Sequence, residues 1–294
     1  MKSGFVSIVG RPNVGKSTLL NKILNKKISI TSDKVGTTRN IIYGIYNEKD
    51  TQIVFIDTPG ISKSINRLGD NLNKKAYSSF ENDLVLFLVD ISSFFGKNDL
   101  KILNRLKEEN KKVILVLNKV DKISKETLIE KITELKDLYD FLDIVPISSL
   151  NGNNIEELIK VIKKHLPDNI KYFDDEIVTN VTEKFMISEI IREKILILTH
   201  EEVPHSVTVV IENIEFKKDK VLINGLIVVD RDNLKAIIIG KNGSMLKEIG
   251  RLARIDIEKY LGKTVYLELY VKTIKDWRNK ENIFNDLGIN ELEN

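Results

Sequence analysis

The octapeptide GRPNVGKS, residues 10–17, limits the possible folds of this chain more than any other stretch. It follows the apolar run Phe5–Val9, and it precedes residues 18–24, whose apolar spacing predicts a helix. Two glycines five positions apart let the backbone curl, so that successive N–H groups point at one phosphate and the following helix adds its positive end. The sequence therefore predicts a strand, a phosphate-binding loop and a helix at the start of an α/β domain.

The residues of this loop have separate predicted roles. Lys16 is expected to reach the β- and γ-phosphates, and Ser17 is expected to offer its hydroxyl group to Mg²⁺. Further contacts to the nucleotide are expected from Gly10, Asn13, Val14, Gly15 and Thr18. The loop thus predicts a nucleotide with at least two phosphates and a bound Mg²⁺ ion.

Strand and helix patterns alternate as far as residue 170. Strands are predicted at residues 5–9, 41–46, 52–56, 84–89, 113–117 and 144–146, and helices at 17–24, 71–80, 99–109, 125–139 and 154–166. Several strands, such as Leu84–Val89, are apolar throughout, which is typical of parallel strands covered by helices on both faces. We expect a mainly parallel α/β sheet, whose last helix is capped by Asn154 with Glu157 three residues later.

The composition excludes several classes of protein. The chain has no cysteine, which excludes disulfides, cysteine-based zinc sites and thiol nucleophiles. Its 46 basic and 43 acidic residues give a net charge of +3, so any affinity for nucleic acid must come from a local patch. Neither a signal peptide nor an apolar run of membrane-spanning length is evident. We therefore expect a soluble, cytoplasmic protein.

A second motif, Asp57-Thr58-Pro59-Gly60, directly follows the predicted strand at 52–56. The carboxyl ends of parallel strands meet at one edge of the sheet, which is where the phosphate-binding loop also lies. Asp57 is therefore expected to hold Mg²⁺ through water, and Gly60 is expected to donate its N–H to the γ-phosphate.

Two further motifs select the base. Asp121, in Asn118-Lys119-Val120-Asp121, can accept hydrogen bonds from the N1–H and N2–H₂ groups of guanine, which adenine lacks. Lys119 is expected to lie along the base. A backbone N–H of Ser148-Ser149-Leu150 is expected to bind the guanine oxygen. These residues predict a site for GTP and GDP.

The four motifs, in this order, resemble the P-loop GTPases of the translation-factor class, which implies a Ras-like fold. The resemblance implies that residues 33–39 form the first switch loop, in which Thr38, with Thr37 as the alternative, joins Ser17 and Asp57 around Mg²⁺. It also implies catalytic roles for Lys16, Thr38 and Gly60, and a second switch loop over residues 61–73.

Two positions qualify this resemblance. Ile61 stands where Ras-like enzymes carry the glutamine that orients the attacking water, which implies slow intrinsic hydrolysis. Asn13 has two interpretations. In similar GTPases an asparagine at this position helps to hold K⁺ near the phosphates, but Asn13 could equally only shape the loop.

The remaining residues predict a different domain. We expect a GTP-binding domain over 1–172, a linker over 173–181 and a second domain over 182–294 with the order α-β-β-α-α-β. A G-x-x-G loop joins two helices of this domain within a locally basic stretch. Order and loop together resemble a type II KH domain, an α+β fold that binds single-stranded RNA. The implied RNA-binding residues are Gly240, Lys241, Asn242, Gly243, Lys247 and Arg251.

A P-loop GTPase followed by one KH domain of this type resembles the Era family. The resemblance implies binding to the 3′ end of 16S rRNA, a role in assembly of the small (30S) ribosomal subunit, a monomer, and a loose association with the cytoplasmic face of the cell membrane. Two alternatives remain at this point. One is a constitutive RNA-binding protein with GTP as a structural ligand, and the other is a membrane-associated regulatory GTPase.

Overall fold

The computed structural model describes residues 1–34, 37–58, 84–200 and 202–279, whose contacts form two units. Within this range the first unit holds residues 1–29, 38–58 and 84–180, and the second holds residues 30–34, 37 and 181–279. Gly60, Ile61, the helix predicted at 71–80 and the second switch loop predicted at 61–73 lie outside the described residues.

The first unit is built on a six-stranded sheet with the order β2-β3-β1-β4-β5-β6. Its strands are β1 (Lys2–Val9), β2 (Ile42–Glu48), β3 (Thr51–Asp57), β4 (Leu84–Asp90), β5 (Val113–Asn118) and β6 (Asp143–Pro146). All neighbouring pairs are parallel except β2 and β3, which form an antiparallel pair. The predicted mainly parallel sheet is therefore confirmed. The parallel strands bring the ends of β1, β3 and β5, and the motifs that follow them, to one edge.

Four described helices accompany this sheet: α1 (Lys16–Leu24), α2 (Lys97–Glu108), α3 (Lys125–Leu135) and α4 (Ile155–His165). The side chains of Phe87, Leu103 and Leu115 are buried together in a core that joins the sheet to α2. The predicted cap of α4 is wrong. Asn154 has a left-handed backbone (φ 65°), and its side chain donates to the Pro146 carbonyl instead of accepting an N–H of the helix.

The second unit has the predicted order α-β-β-α-α-β, which confirms the KH-type fold. Its elements are α5 (Glu183–Leu198), β7 (Val207–Phe216), β8 (Lys220–Val229), α6 (Asp232–Ile239), α7 (Ser244–Leu261) and β9 (Thr264–Thr273). In the sheet, β7 is antiparallel to β8 and β9 is parallel to it, which leaves β9 at one edge. Fully buried side chains of Ile191, Ile223 and Ile249 join α5, the sheet and α7 in one core.

Among the helices that the structure describes, none combines the length and the apolar character needed to cross a membrane.

Candidate nucleotide and RNA sites

The phosphate-binding loop has the backbone that its glycines predict. Gly15 is left-handed (φ 103°) and precedes α1, so its backbone conformation strongly favours glycine. A Cβ atom added at Gly15 would lie 2.3 Å from Asn118 Nδ2, and one added at Gly10 would lie 2.4 Å from the Leu88 carbonyl oxygen. Asn13 is also left-handed (φ 66°), which asparagine tolerates better than most residues. Both glycines are therefore required by the tight packing of the loop.

The Lys16 side chain is buried inside this loop. Its Nζ donates to the carbonyl oxygens of Gly10 and Arg11, each at 3.1 Å. Burial lowers the pKa of Lys16 to about 8, and the nearby Asp57 opposes that shift. A buried ammonium group bonded mainly to neutral carbonyls is stabilised by an incoming anion. The loop is therefore suited to bind a phosphate group.

Four oxygen-bearing side chains meet beside Lys16. Asp57 Oδ2 accepts the hydroxyl hydrogen bonds of Ser17 at 2.6 Å and of Ser29 at 3.2 Å, and Ser17 Oγ lies 2.9 Å from Thr38 Oγ1. The other carboxylate oxygen, Asp57 Oδ1, is buried without a hydrogen-bond partner among the described residues. Burial raises the pKa of Asp57, and Lys16 acts in the opposite direction. Mg²⁺ prefers hydroxyl and carboxylate oxygens, so this arrangement fits a Mg²⁺ ion.

The two candidate threonines of the first switch loop make different contacts. Thr38 lies at Ser17, as described above, whereas the Thr37 hydroxyl donates to the Lys34 carbonyl at 2.6 Å. The Thr37 carbonyl accepts a hydrogen bond from the buried guanidinium of Arg192. In the same segment the Thr31 N–H donates to Glu193 Oε1 at 3.0 Å. The geometry therefore favours Thr38 as the Mg²⁺ ligand.

The base motif is bonded to the phosphate-binding loop. Asn118 Nδ2 donates to the Val14 carbonyl at 2.7 Å, and Asn118 Oδ1 accepts the Ser149 N–H at 2.9 Å. Lys119 Nζ donates to the Asn13 carbonyl at 2.8 Å and to Asp90 Oδ2 at 2.6 Å. The two motifs, more than 100 residues apart, are thus held together by direct hydrogen bonds.

The residues predicted to select guanine lie at the same edge of the sheet. Asp121 is exposed in the short turn Val120–Lys122 that follows β5, so its carboxylate is open to a ligand. The Ser148 N–H donates to the Asn153 carbonyl at 3.1 Å, and the Ser149 N–H is bonded to Asn118. Leu150 is 73% exposed.

Sequence reasoning missed two acidic residues of this region. Asp90, the last residue of β4, binds Lys119, and its other oxygen accepts the N–H and hydroxyl of Ser92. Asp99 of α2 is fully buried, and its carboxylate lies 3.0 Å from the guanidinium Nε of Arg11, which is a residue of the phosphate-binding loop. The position of Asp90 at the end of a predicted strand was a signal that could have identified it.

The G-x-x-G loop joins α6 to α7 with an unusual backbone. Gly240, Asn242 and Gly243 all have positive φ, at 72°, 52° and 76°. A Cβ added at Gly240 would lie 2.7 Å from Met245 Cβ, so no other residue fits there without displacement. Lys241 and Asn242 are exposed at the tip of the loop. The loop therefore presents a small, polar backbone surface to a ligand.

A groove continues from this loop between α7 and β9. We call it the α7–β9 groove, and its volume is 510 Å³. It is lined by the apolar residues Leu246, Leu267 and Leu269 and the basic residues Lys247, Arg251 and Arg254. Tyr266 of β9, which sequence reasoning missed, is a further lining residue and is 58% exposed. An apolar floor with basic edges is typical of a site for single-stranded nucleic acid.

Two family models match these two units separately. Residues 5–119 match the model described as 50S ribosome-binding GTPase, and residues 202–278 match the model of the KH domain.

Solved structures match nearly the whole chain. A point variant of Era from Aquifex aeolicus, bound to GDP and AlF4⁻, is 43% identical with a TM-score of 0.94, and the match covers 98% of this chain and 99% of that one. The chain belongs to the Era family. A second Era structure, in complex with MgGDPNP and nucleotides 1506–1542 of 16S ribosomal RNA, is 44% identical with a TM-score of 0.92 over the same shares of both chains. As a member of the Era family the chain is a P-loop GTPase with a KH domain.

Proposed function

We propose that this protein binds Mg²⁺ and GTP in its first unit, hydrolyses GTP slowly, and uses the nucleotide to control RNA binding by its second unit. The observation that carries the nucleotide site is the cluster of Ser17, Thr38 and Asp57 beside the buried Lys16, where Asp57 Oδ1 has no partner among the described residues. Bound Mg²⁺ would neutralise charge on the phosphates, as it does in other P-loop GTPases.

The residues would divide the work as follows. Lys16 binds the β- and γ-phosphates, Ser17 and Thr38 hold Mg²⁺ directly, and Asp57 holds it through water. Asp121 selects guanine, supported by the amides of residues 148–150. The domains are proposed at 1–172 and 182–294, with 173–181 as linker.

The RNA is proposed to be the 3′ end of 16S rRNA, bound as a single strand. The support is the similar chain solved in complex with MgGDPNP and nucleotides 1506–1542 of that RNA, together with the basic edges of the α7–β9 groove. Gly240 and Gly243 would let the RNA backbone approach, while Lys241, Asn242 and Lys247 meet phosphates or sugars. Such binding would serve assembly of the 30S subunit in the cytoplasm, by a monomer that reaches the membrane only peripherally.

The nucleotide would act on the second unit through two consecutive residues. Thr38 lies at Ser17, in the proposed Mg²⁺ site, while the Thr37 carbonyl is bonded to Arg192 of α5. When a γ-phosphate is bound and Thr38 binds Mg²⁺, the peptide group between Thr37 and Thr38 would be fixed in position. The carbonyl of that same peptide group accepts the hydrogen bond of Arg192 in α5. This connection favours a switch over a constitutive RNA-binding protein.

The RNA affinity of the full chain, measured with GDPNP and with GDP in Mg²⁺ buffer, tests the switch. We expect tighter binding of a single-stranded 16S 3′-end RNA with GDPNP. Equal affinities would favour the constitutive RNA-binding protein. Loss of RNA binding in Gly240→Asp with intact binding to 30S subunits or to vesicles would favour a GTPase whose partner is protein or membrane.

Two roles are proposed for Asn13: it helps to hold K⁺ at the phosphates, or it only shapes the loop. Its left-handed backbone and the hydrogen bond from Lys119 to its carbonyl support the alternative, in which Asn13 only shapes the loop. Hydrolysis rates in potassium and sodium buffers distinguish the two. Faster turnover in potassium that is lost in Asn13→Ala supports the K⁺ role, and identical rates in both buffers exclude it.

A further inference from the structure

One glycine of the α7–β9 groove lies in the interior of a helix. Gly250 is the seventh residue of α7, which runs from Ser244 to Leu261. Glycine in a helix interior destabilises the helix relative to alanine, because the unfolded chain has more backbone freedom to lose. Glycine at such a position usually has a structural cause: either the backbone has a positive φ, or a neighbouring atom leaves no space for a Cβ.

Neither cause applies to Gly250. It has no positive φ, and an added Cβ would meet only Leu269 Cδ1, at an ordinary contact distance of 3.6 Å. Gly225 of β8 shows the opposite case beside the same leucine. A Cβ at Gly225 would lie 2.9 Å from Leu269 Cδ2 and 3.4 Å from Ile191 Cδ1. A methyl group at position 225 would therefore displace the Leu269 side chain, whereas one at position 250 would make only an ordinary contact with it.

The missing side chain opens the floor of the groove. Gly250 lines it together with the apolar side chains of Leu246 and Leu269. Lys247 and Arg254 are three residues before and four residues after it, so they flank it on the same helix face. Within the part of the chain that the structure describes, neither of these two cations pairs with a carboxylate. The arrangement offers a flat apolar surface between two positive charges.

We infer that Gly250 is a specificity-determining residue of this groove. Its missing Cβ leaves room for one base of a single-stranded RNA to lie over the helix against Leu246 and Leu269, while the neighbouring phosphates meet Lys247 and Arg254. Duplex RNA is rejected, because its bases are stacked and paired inside the helix. The inference rests on the RNA-binding function proposed above and adds a role for one residue of the groove, Gly250.

Substitution by alanine separates this role from a structural one. In the full chain, Gly250→Ala is expected to raise the thermal midpoint of the second unit by about 2 to 4 °C, because alanine favours the helix. The same change is expected to weaken binding of a single-stranded 16S 3′-end RNA roughly fivefold to a hundredfold, the range expected for loss of one base contact. Gly250→Leu is expected to abolish that binding.

Ile255→Ala is the matched control. Ile255 lies on α7, is 45% exposed and is not part of the groove lining, so alanine there favours the helix without changing RNA affinity. Unchanged RNA affinity in both Gly250 variants, or a destabilised Gly250→Ala, overturns the inference and leaves the RNA-binding function standing. A wild-type chain that binds no RNA overturns both.

Discussion

Asn118 is the residue that bonds the base motif to the phosphate-binding loop, and its removal has a calculable effect. Its side chain is 2% exposed and makes two hydrogen bonds, to the Val14 carbonyl at 2.7 Å and from the Ser149 N–H at 2.9 Å. Asn118→Ala would leave both backbone groups buried and unpaired. Each such group costs about 1 to 3 kcal/mol. We expect the unfolding free energy of the first unit to fall by about 2 to 6 kcal/mol.

Urea unfolding of the full chain can resolve this effect. The single tryptophan, Trp277, is fully buried in the second unit, so its fluorescence reports that unit, whereas circular dichroism reports both. Asn118→Ala should move the circular-dichroism transition of the first unit and leave the tryptophan transition unchanged. Asn104→Ala, the same change at an exposed position of α2, should alter the free energy by less than about 0.5 kcal/mol. An Asn118→Ala variant as stable as Asn104→Ala would refute the reasoning.

Three further predictions concern the nucleotide and its effect on RNA. Gly15→Ala should lose guanine nucleotide binding, because its Cβ would lie 2.3 Å from Asn118 Nδ2; titration with a fluorescent GDP analogue that gives wild-type affinity would contradict this. Thr38→Ala should lose Mg²⁺-dependent GTP hydrolysis in a phosphate-release assay, whereas Thr37→Ala should retain most of it; the reverse order would assign the Mg²⁺ ligand to Thr37. Arg192→Met should bind RNA with similar affinity in GDP and GDPNP, because the Thr37 carbonyl loses its partner; an undiminished nucleotide dependence would exclude this connection.

The elements that could be predicted are those fixed by local chemistry. The phosphate-binding loop needs glycine at positions 10 and 15, and an apolar strand directly before a helical pattern places the loop without any knowledge of the sheet. The α-β-β-α-α-β order of the second unit follows in the same way from apolar periodicity. Asn154 shows the limit of such reasoning. Its sequence context suggested a helix cap, but the turn before α4 requires a left-handed residue and its side chain binds Pro146 instead.

The partners of the following side chains could not be predicted, because they depend on which elements are neighbours in the fold. Asp90 reaches Lys119 because β4 and β5 are adjacent, with Asp90 opposite Asn118 in the register. The pair formed by Arg11 and Asp99 joins the loop after β1 to the first turn of α2. Likewise Tyr266 lines the α7–β9 groove because β9 lies at the edge of its sheet. Strand order depends on the whole fold, so it cannot be predicted from a local sequence pattern.

Guanine selection is the most direct test of the account, because the phosphate-binding loop and the three other motifs serve one function only if together they bind a guanine nucleotide. Calorimetric titration of the nucleotide-free protein with GDP and with ADP, in Mg²⁺ buffer, measures it. Two hydrogen bonds to the Asp121 carboxylate predict that GDP binds at least about a hundredfold more tightly than ADP, and that Asp121→Ala removes this preference. Equal affinities for GDP and ADP in the wild-type protein would contradict the account.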